Sequence, residues 1–309
     1  MSIFKIHNTN LTEIREAKLD FEKDLQKITE NNLSIIFELD FVSSQFSLHQ
    51  FRIDTLAFDR GTNAFVIIEY KRDRSFSVID QGFAYLGLML NNKADFVLEY
   101  NEKFKKNFKK EDFDWSQSKV LFLSQFFTTY QQNAISFRDL PIELWEVKVF
   151  DGSIILYNQL LSLETNESIK TVTKNKTIES VSKEVKKYSI DDHFRYGWEN
   201  SKELFEEISN KILEFDSRIK EKPNQFYIGY QIDRKNIVYI KIQQSKIIIN
   251  FTRTQPKDLD DPKKKLKYRE NSMRYWNQHI SELDINNKKD IDYAVFLIKQ
   301  AYNKFIKNK

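Results

Sequence analysis

Apolar residues recur along the chain with two different periods, and the points where the period changes mark its elements. Between residues 11 and 33, Ile14, Leu19, Phe21, Leu25 and Ile28 fall at roughly helical intervals with polar residues between them. That spacing predicts an amphipathic helix of several turns. From Phe51 the period shortens to two, so FRIDTLAFD and AFVIIEYK read as strands. The DRGTN between them places Asp, Gly and Asn where a hairpin turn needs them. SVIDQGFAYLGLMLNN returns to helical spacing, and ADFVLEY and KVLFLSQF read as two further strands on either side of the charged stretch NEKFKKNFKKEDFDWSQ. A short helix is expected between Phe127 and Ser136, and PIELWEVKVFDGSIILYN reads as one or two closing strands. The fold class expected for this part is α/β or α+β, a sheet layered with helices.

Residues 163–190 hold few large apolar side chains and no aromatic before Tyr188, which predicts a linker between a first domain at 1–162 and a second at 191–309. In the second, HFRYGWENSKELFEEISNKILEFDSRIKE and DIDYAVFLIKQAYNKFIKN read as helices, with QFYIGYQID, NIVYIKIQ and KIIINFTRT as strands between them. This predicts a smaller α+β domain.

Composition narrows the chemistry. The 309 residues include no cysteine, which removes disulfides, thiolate catalysis, iron–sulfur clusters and cysteine-based zinc sites. The four histidines, at 7, 49, 193 and 279, show no pair at metal-ligand spacing. The first residues become charged too early for a secretory signal, and no stretch approaches the roughly 18 apolar residues that span a bilayer, so a cytoplasmic protein with no membrane partner is expected. The net charge is +4, but residues 1–162 carry four more acids than bases, whereas 191–309 carry six more bases than acids. Any electrostatic attraction to an anionic partner is therefore expected at the C-terminal end.

One constellation carries chemistry. Asp54 lies on the first strand of the expected hairpin, and Glu69 and Lys71 lie two apart on the second. Glu69 and Lys71 then project to one face with Phe65 and Ile67, while Val66, Ile68 and Tyr70 face the other way. Pairing around DRGTN brings Asp54 to the same end, so two carboxylates and an ammonium converge. Taken alone, such a pattern also fits a solvated ion pair at a strand end.

The surrounding residues strengthen the pattern. FEKDLQ, RIDTLAF, IIEYK and DQGFAY follow one another in the order helix, hairpin, helix, and in this they resemble the PD-(D/E)XK nucleases. Gln81 and Tyr85 match the QxxxY element of the branch that holds RecB-type and NucS-like mismatch endonucleases. The resemblance covers roughly residues 15–160 and departs from the family pattern at Ile53, where the name-giving proline would stand. It implies a restriction-endonuclease-like core and a metal-dependent DNA endonuclease using Mg²⁺ or Mn²⁺. It further implies that Asp54, Glu69, the Tyr70 carbonyl and Glu22 ligate the metal, with Glu30 a weaker competitor for the helix acid. Lys71 would act on the attacking water, Gln81 would position the water, Lys71 or a phosphate oxygen, and Tyr85 would support the ligands or the substrate backbone. Residues 195–309 resemble an uncharacterised α/β domain at the end of other nuclease-like and restriction-associated chains, a resemblance that implies no function.

Two basic stretches add to the reading. Lys263, Lys264, Lys265, Lys267 and Arg269 are interleaved with Tyr268, Tyr275 and Trp276, a pattern that suits phosphates and unpaired bases and equally suits a solvated loop in a lysine-rich chain. Lys103, Lys105, Lys106, Lys109 and Lys110 carry the same ambiguity. Cutting both strands of a duplex calls for two sites, so a homodimer acting on DNA is expected. The alternatives are a nucleic-acid-binding or scaffold protein that keeps the fold without cutting, and a nuclease acting on RNA.

Overall fold

A computed structural model describes residues 2–17, 21–71, 77–137, 140–151, 154–161, 168–169 and 175–307, the side chains of Phe21 and Glu22 excepted. The chain starts with a small antiparallel hairpin of β1 (Ile3–His7) and β2 (Asn10–Ile14). Leu11–Ile14, expected to open the first helix, is therefore strand. Asn8 takes a left-handed φ of 56° in the turn, a conformation that a short polar side chain tolerates and that closes the hairpin before any helix begins. The helix itself is α1 (Phe21–Asn31), followed by the single turn α2 (Leu33–Ile36).

Next come β3 (Asp40–Leu48), β4 (Phe51–Asp59) and β5 (Ala64–Lys71), then α3 (Val78–Asn91) and α4 (Lys93–Phe104). They are followed by β6 (Lys119–Ser124), α5 (Thr129–Ala134), β7 (Ile142–Phe150) and β8 (Ile154–Leu160). The strands form one mixed six-stranded sheet in the order β3-β4-β5-β6-β7-β8, with β6 parallel to both neighbours and every other pair antiparallel. Central strand β5 is buried along all but its last residue, which explains its apolar run from Ala64 to Ile68. Ala57, Val66 and Ile68 meet Leu25, Leu33 and Phe37 on one face. Phe65, Ile67 and Phe122 meet Phe83, Leu86, Met89 and Phe96 on the other. Each fully buried Val, Leu, Ile, Phe or Met among them contributes about 1.5–3 kcal/mol of transfer free energy.

Two expected elements are corrected. ADFVLEY is the body of α4 and not a strand; Phe96, Val97 and Tyr100 are buried at helical spacing. Within the expected linker, α6 (Lys176–Glu184) buries Ile178 and Val181 in the core shared with α3, so the first compact unit runs to Lys186. The remaining residues called linker fall partly outside the described residues.

The second unit, 187–309, contains α7 (Glu199–Leu213), β9 (Lys220–Pro223), β10 (Ile228–Ile232), β11 (Lys235–Ile242) and β12 (Ile247–Thr252). It continues through β13 (Lys267–Tyr268), α8 (Ser272–Trp276), β14 (Ile280–Ile285) and α9 (Ile291–Lys307). Its sheet is antiparallel throughout, in the order β13-β14-β12-β11-β10-β9. Helices α7 and α9 supply Leu204, Ile208, Leu297 and Ile298 to the core with the sheet's Val238, Ile240, Ile249 and Leu283. Among the described residues no helix is long and apolar enough to cross a membrane.

Candidate active site

The ladder between β4 and β5 runs from Asp59–Ala64 to Thr55–Ile68 and stops there. Beyond it the two strands exchange side-chain bonds in place of backbone ones. The Asp54 N–H donates to Glu69 Oε1 at 3.2 Å, and the Tyr70 N–H donates to Asp54 Oδ2 at 3.1 Å. Each carboxylate thus satisfies a backbone donor of the opposite strand, which pins both acids at the carboxyl end of β5. Meanwhile β5 keeps its parallel pairing with β6 through Lys71–Ser124, so this end of the central strand stays rigid.

Glu69 is 2% exposed, and its Oε2 lies 3.3 Å from the Lys71 Nζ. Burial pushes its pKa from 4.5 to about 7; the Asp54 charge adds to the rise and Lys71 opposes it. The Tyr85 hydroxyl of α3 reaches Glu69, accepts from Gln81 Nε2 at 3.4 Å and lies 3.5 Å from the Arg52 carbonyl. Its pKa is raised, first by burial and then by the Glu69 charge. Gly82 lies between Gln81 and the sheet: a Cβ there would stand 2.4 Å from Ile142 Cδ1, so the missing side chain lets α3 sit close on β7.

The structure brings Asp54, Glu69 and Lys71 together as the strand spacing predicts, with Gln81 and Tyr85 beside them as the family resemblance implies. The Tyr70 side chain points to the opposite face, where its hydroxyl lies 3.3 Å from Thr55 Oγ1, which donates to Glu30 Oε1 at 2.7 Å. Glu30 therefore engages the far face of the sheet. Glu22 opens α1, with its side chain outside the described residues.

Two residues escape the sequence reading. Gln26, one turn after Glu22 on the same helix face, donates to the Asp54 carbonyl at 2.8 Å. Gln45 of β3 stands opposite Asp54 with a left-handed φ of 54° and donates to Asp54 Oδ1 at 3.4 Å and to Gln26 Oε1 at 3.0 Å. Its own Oε1 is buried with no hydrogen-bond partner. The four-residue spacing from Glu22 within FEKDLQ is a signal that could have found Gln26, but nothing in the sequence signalled a kinked strand at Gln45.

This donor set fits a hard divalent cation. Asp54 and Glu69 offer carboxylate oxygens beside Lys71, and Gln45 adds an amide oxygen that lacks a donor. Among the described residues there is no cluster of three or more His, Cys, Asp or Glu side chains able to hold a metal.

The basic run of the second unit is largely neutralised. Lys265 pairs with Asp290 at 2.5 Å, Lys267 with Asp284 at 3.4 Å and Arg269 with Glu282 at 3.3 Å. Arg269 also covers the Trp276 ring at 4.2 Å, and Lys263 lies 4.6 Å from the Tyr293 ring. Lys264 is exposed, with a φ of 49°.

Over 304 residues the chain is 43% identical to an uncharacterized protein of Haemophilus influenzae, covering 97% of this chain and 99% of that protein. The two belong to one family. Residues 190–304 also match the model of DUF5655, a domain of unknown function, and this match spans most of the second unit. No solved structure matches the chain.

Proposed function

We propose that the first unit is a metal-dependent nuclease that hydrolyses phosphodiester bonds in DNA, with restriction, phage defence or repair as the setting. The observation that carries this reading is the convergence of Asp54, Glu69 and Lys71 where β4 parts from β5, beside the Gln81–Tyr85 pair of α3. Asp54 and Glu69 would hold Mg²⁺ or Mn²⁺ with the Gln45 amide oxygen nearby; the sequence resemblance adds Glu22 and the Tyr70 carbonyl to that set. When bound, such an ion neutralises phosphate charge and lowers the pKa of its water. Lys71 orients the attacking water and offsets charge as the phosphate gains a fifth oxygen. Gln81 fixes the Tyr85 hydroxyl, which in turn holds the Glu69 carboxylate in place. Gln26 and Gln45 hold Asp54 from its backbone and side-chain oxygens.

The test is cleavage of supercoiled plasmid, single-stranded DNA, RNA and a mismatched duplex with Mg²⁺ or Mn²⁺. Wild type is expected to cut, while Glu69→Gln and Lys71→Ala stay folded and lose activity by at least about 10³-fold, as expected when a group acting in the transition state is lost. Two-strand cleavage would go with a homodimer in light scattering. A folded wild type that neither binds Mn²⁺ nor cuts would overturn the reading in favour of a binding or scaffold protein.

A further inference from the structure

The second unit holds an open cavity of about 210 Å³ at the end of β12, between β11 and the last turns of α9. Lys235, Arg253 and Lys304 line it, and no acidic residue does. Asp258 reaches Lys304 from outside the lining, at 2.9 Å. Arg253 is different: among the described residues no carboxylate lies within ion-pair distance of it. Its guanidinium lies 5.6 Å from the Phe305 ring and spends one N–H on the Asn236 carbonyl. The cavity walls alone lower its pKa, and no nearby acid raises it.

The backbone that presents Arg253 is held under strain. Arg253 has a left-handed φ of 53°, which is strained for a residue with a side chain and persists only where its surroundings enforce it. They do so on both sides. Thr252 Oγ1 donates to the Asn236 and Ile237 carbonyls at 2.6 and 3.0 Å, and Thr254 Oγ1 donates to the Thr252 carbonyl at 2.8 Å. A guanidinium fixed in a hollow, flanked by ammonium groups and lacking an acid, is half of a charge-assisted pair.

We infer that this cavity binds a phosphomonoester, with the Arg253 fork on the phosphate, Lys235 and Lys304 at its flanks and the adjoining carbon skeleton against Ile237, Ala301 and Phe305. Cations on several sides suit a tetrahedral group of charge about −1.5 to −2 better than a flat monovalent carboxylate. The volume lies below the roughly 300–1,000 Å³ of ordinary ligand pockets, so it admits the phosphate end of a molecule and the first ring or chain attached to it. A free nucleotide and the 5′-phosphorylated end of a DNA strand present this same chemistry. The inference is independent of the nuclease reading.

The test uses the full chain in EDTA at constant ionic strength, which silences metal-dependent cleavage. Calorimetry compares AMP with adenosine, and fluorescence anisotropy compares a short oligothymidine carrying a 5′-phosphate with the same strand carrying a 5′-hydroxyl. The phosphorylated member of at least one pair is expected to bind at least about tenfold tighter, and the pair that responds identifies the source. Arg253→Gln is expected to abolish that preference, and Arg253→Lys to restore part of it, because the charge returns without the fork. Equal binding of both members in both pairs overturns the inference, as does a folded Arg253→Gln that retains the preference. Should Arg253→Gln fail to fold, Lys304→Gln decides: a weakened preference supports the site and an unchanged one overturns it.

Discussion

Glu69 is an acid whose surroundings hold it against ionisation. Because its folded pKa lies above the unfolded value, the unfolded chain releases the proton first as pH rises, and stability falls between pH 4.5 and about 7. Below that window the contribution is fully present; above it, it is lost. Urea denaturation in EDTA at pH 5 and pH 7.5 is therefore expected to show wild type losing on the order of 3 kcal/mol more than Glu69→Gln across the window. Gln45 invites a second test. Gln45→Ala keeps the carboxylates and removes the partnerless oxygen, so Mn²⁺ affinity is expected to fall about 10–100-fold in calorimetry while Mn²⁺ still binds. The acids and Lys71 were legible because a period of two assigns each strand residue a face, and Gln81 and Tyr85 through the resemblance of DQGFAY to a family element whose two residues stack four apart on a helix. Gln45 was not, since its role depends on a left-handed residue inside a strand, and no apolar pattern encodes that.

At the scale of elements, what the reading missed shares one cause: windows cut too short or set by composition. ADFVLEY alone fits a buried strand, but Phe96, Tyr100 and Phe104 stand four apart, a helical stripe that continues into the charged residues beyond it. In the same way Ile178, Val181 and Val185 form a stripe inside a segment whose few large apolar side chains and lack of aromatics made it look like a tether. Helix α6 is a working part of the first unit, where Thr177 Cγ2 would meet a Cβ on Gly87 at 3.1 Å. Ile178→Ala is expected to destabilise that unit by about 2–5 kcal/mol in chemical denaturation, whereas an alanine in a true tether would change nothing.

For the whole molecule, the sequence pattern anticipated two bodies with separate cores, and the chain divides into two compact units after Lys186. The boundary moved because the aromatic-poor stretch before Tyr188 still carries enough aliphatic residues for one helix. A fragment ending at 186 is expected to melt cooperatively by circular dichroism, and one ending at 162, lacking α6, to melt at lower temperature with its apolar α3 face binding a hydrophobic dye. The basic excess of the second half stayed ambiguous in the sequence because composition does not reveal which cations already have carboxylate partners. Lys265, Lys267 and Arg269 do; Arg253, outside every basic run, does not.

The parting of β4 from β5 gives Asp54 and Glu69 two employments at once. Each accepts a backbone N–H that no strand neighbour takes, so either acid earns its place structurally even in a chain that has stopped performing chemistry. A descendant that lost its reaction would still be under pressure to keep both carboxylates, and the pair alone is a poor witness of activity. Lys71 is a donor and cannot take a strand N–H in this way; its ammonium lies 3.3 Å from Glu69 Oε2. Under the proposed nuclease function, the residue at that position is therefore the one, among relatives of this protein, whose loss would mark a site that no longer cuts.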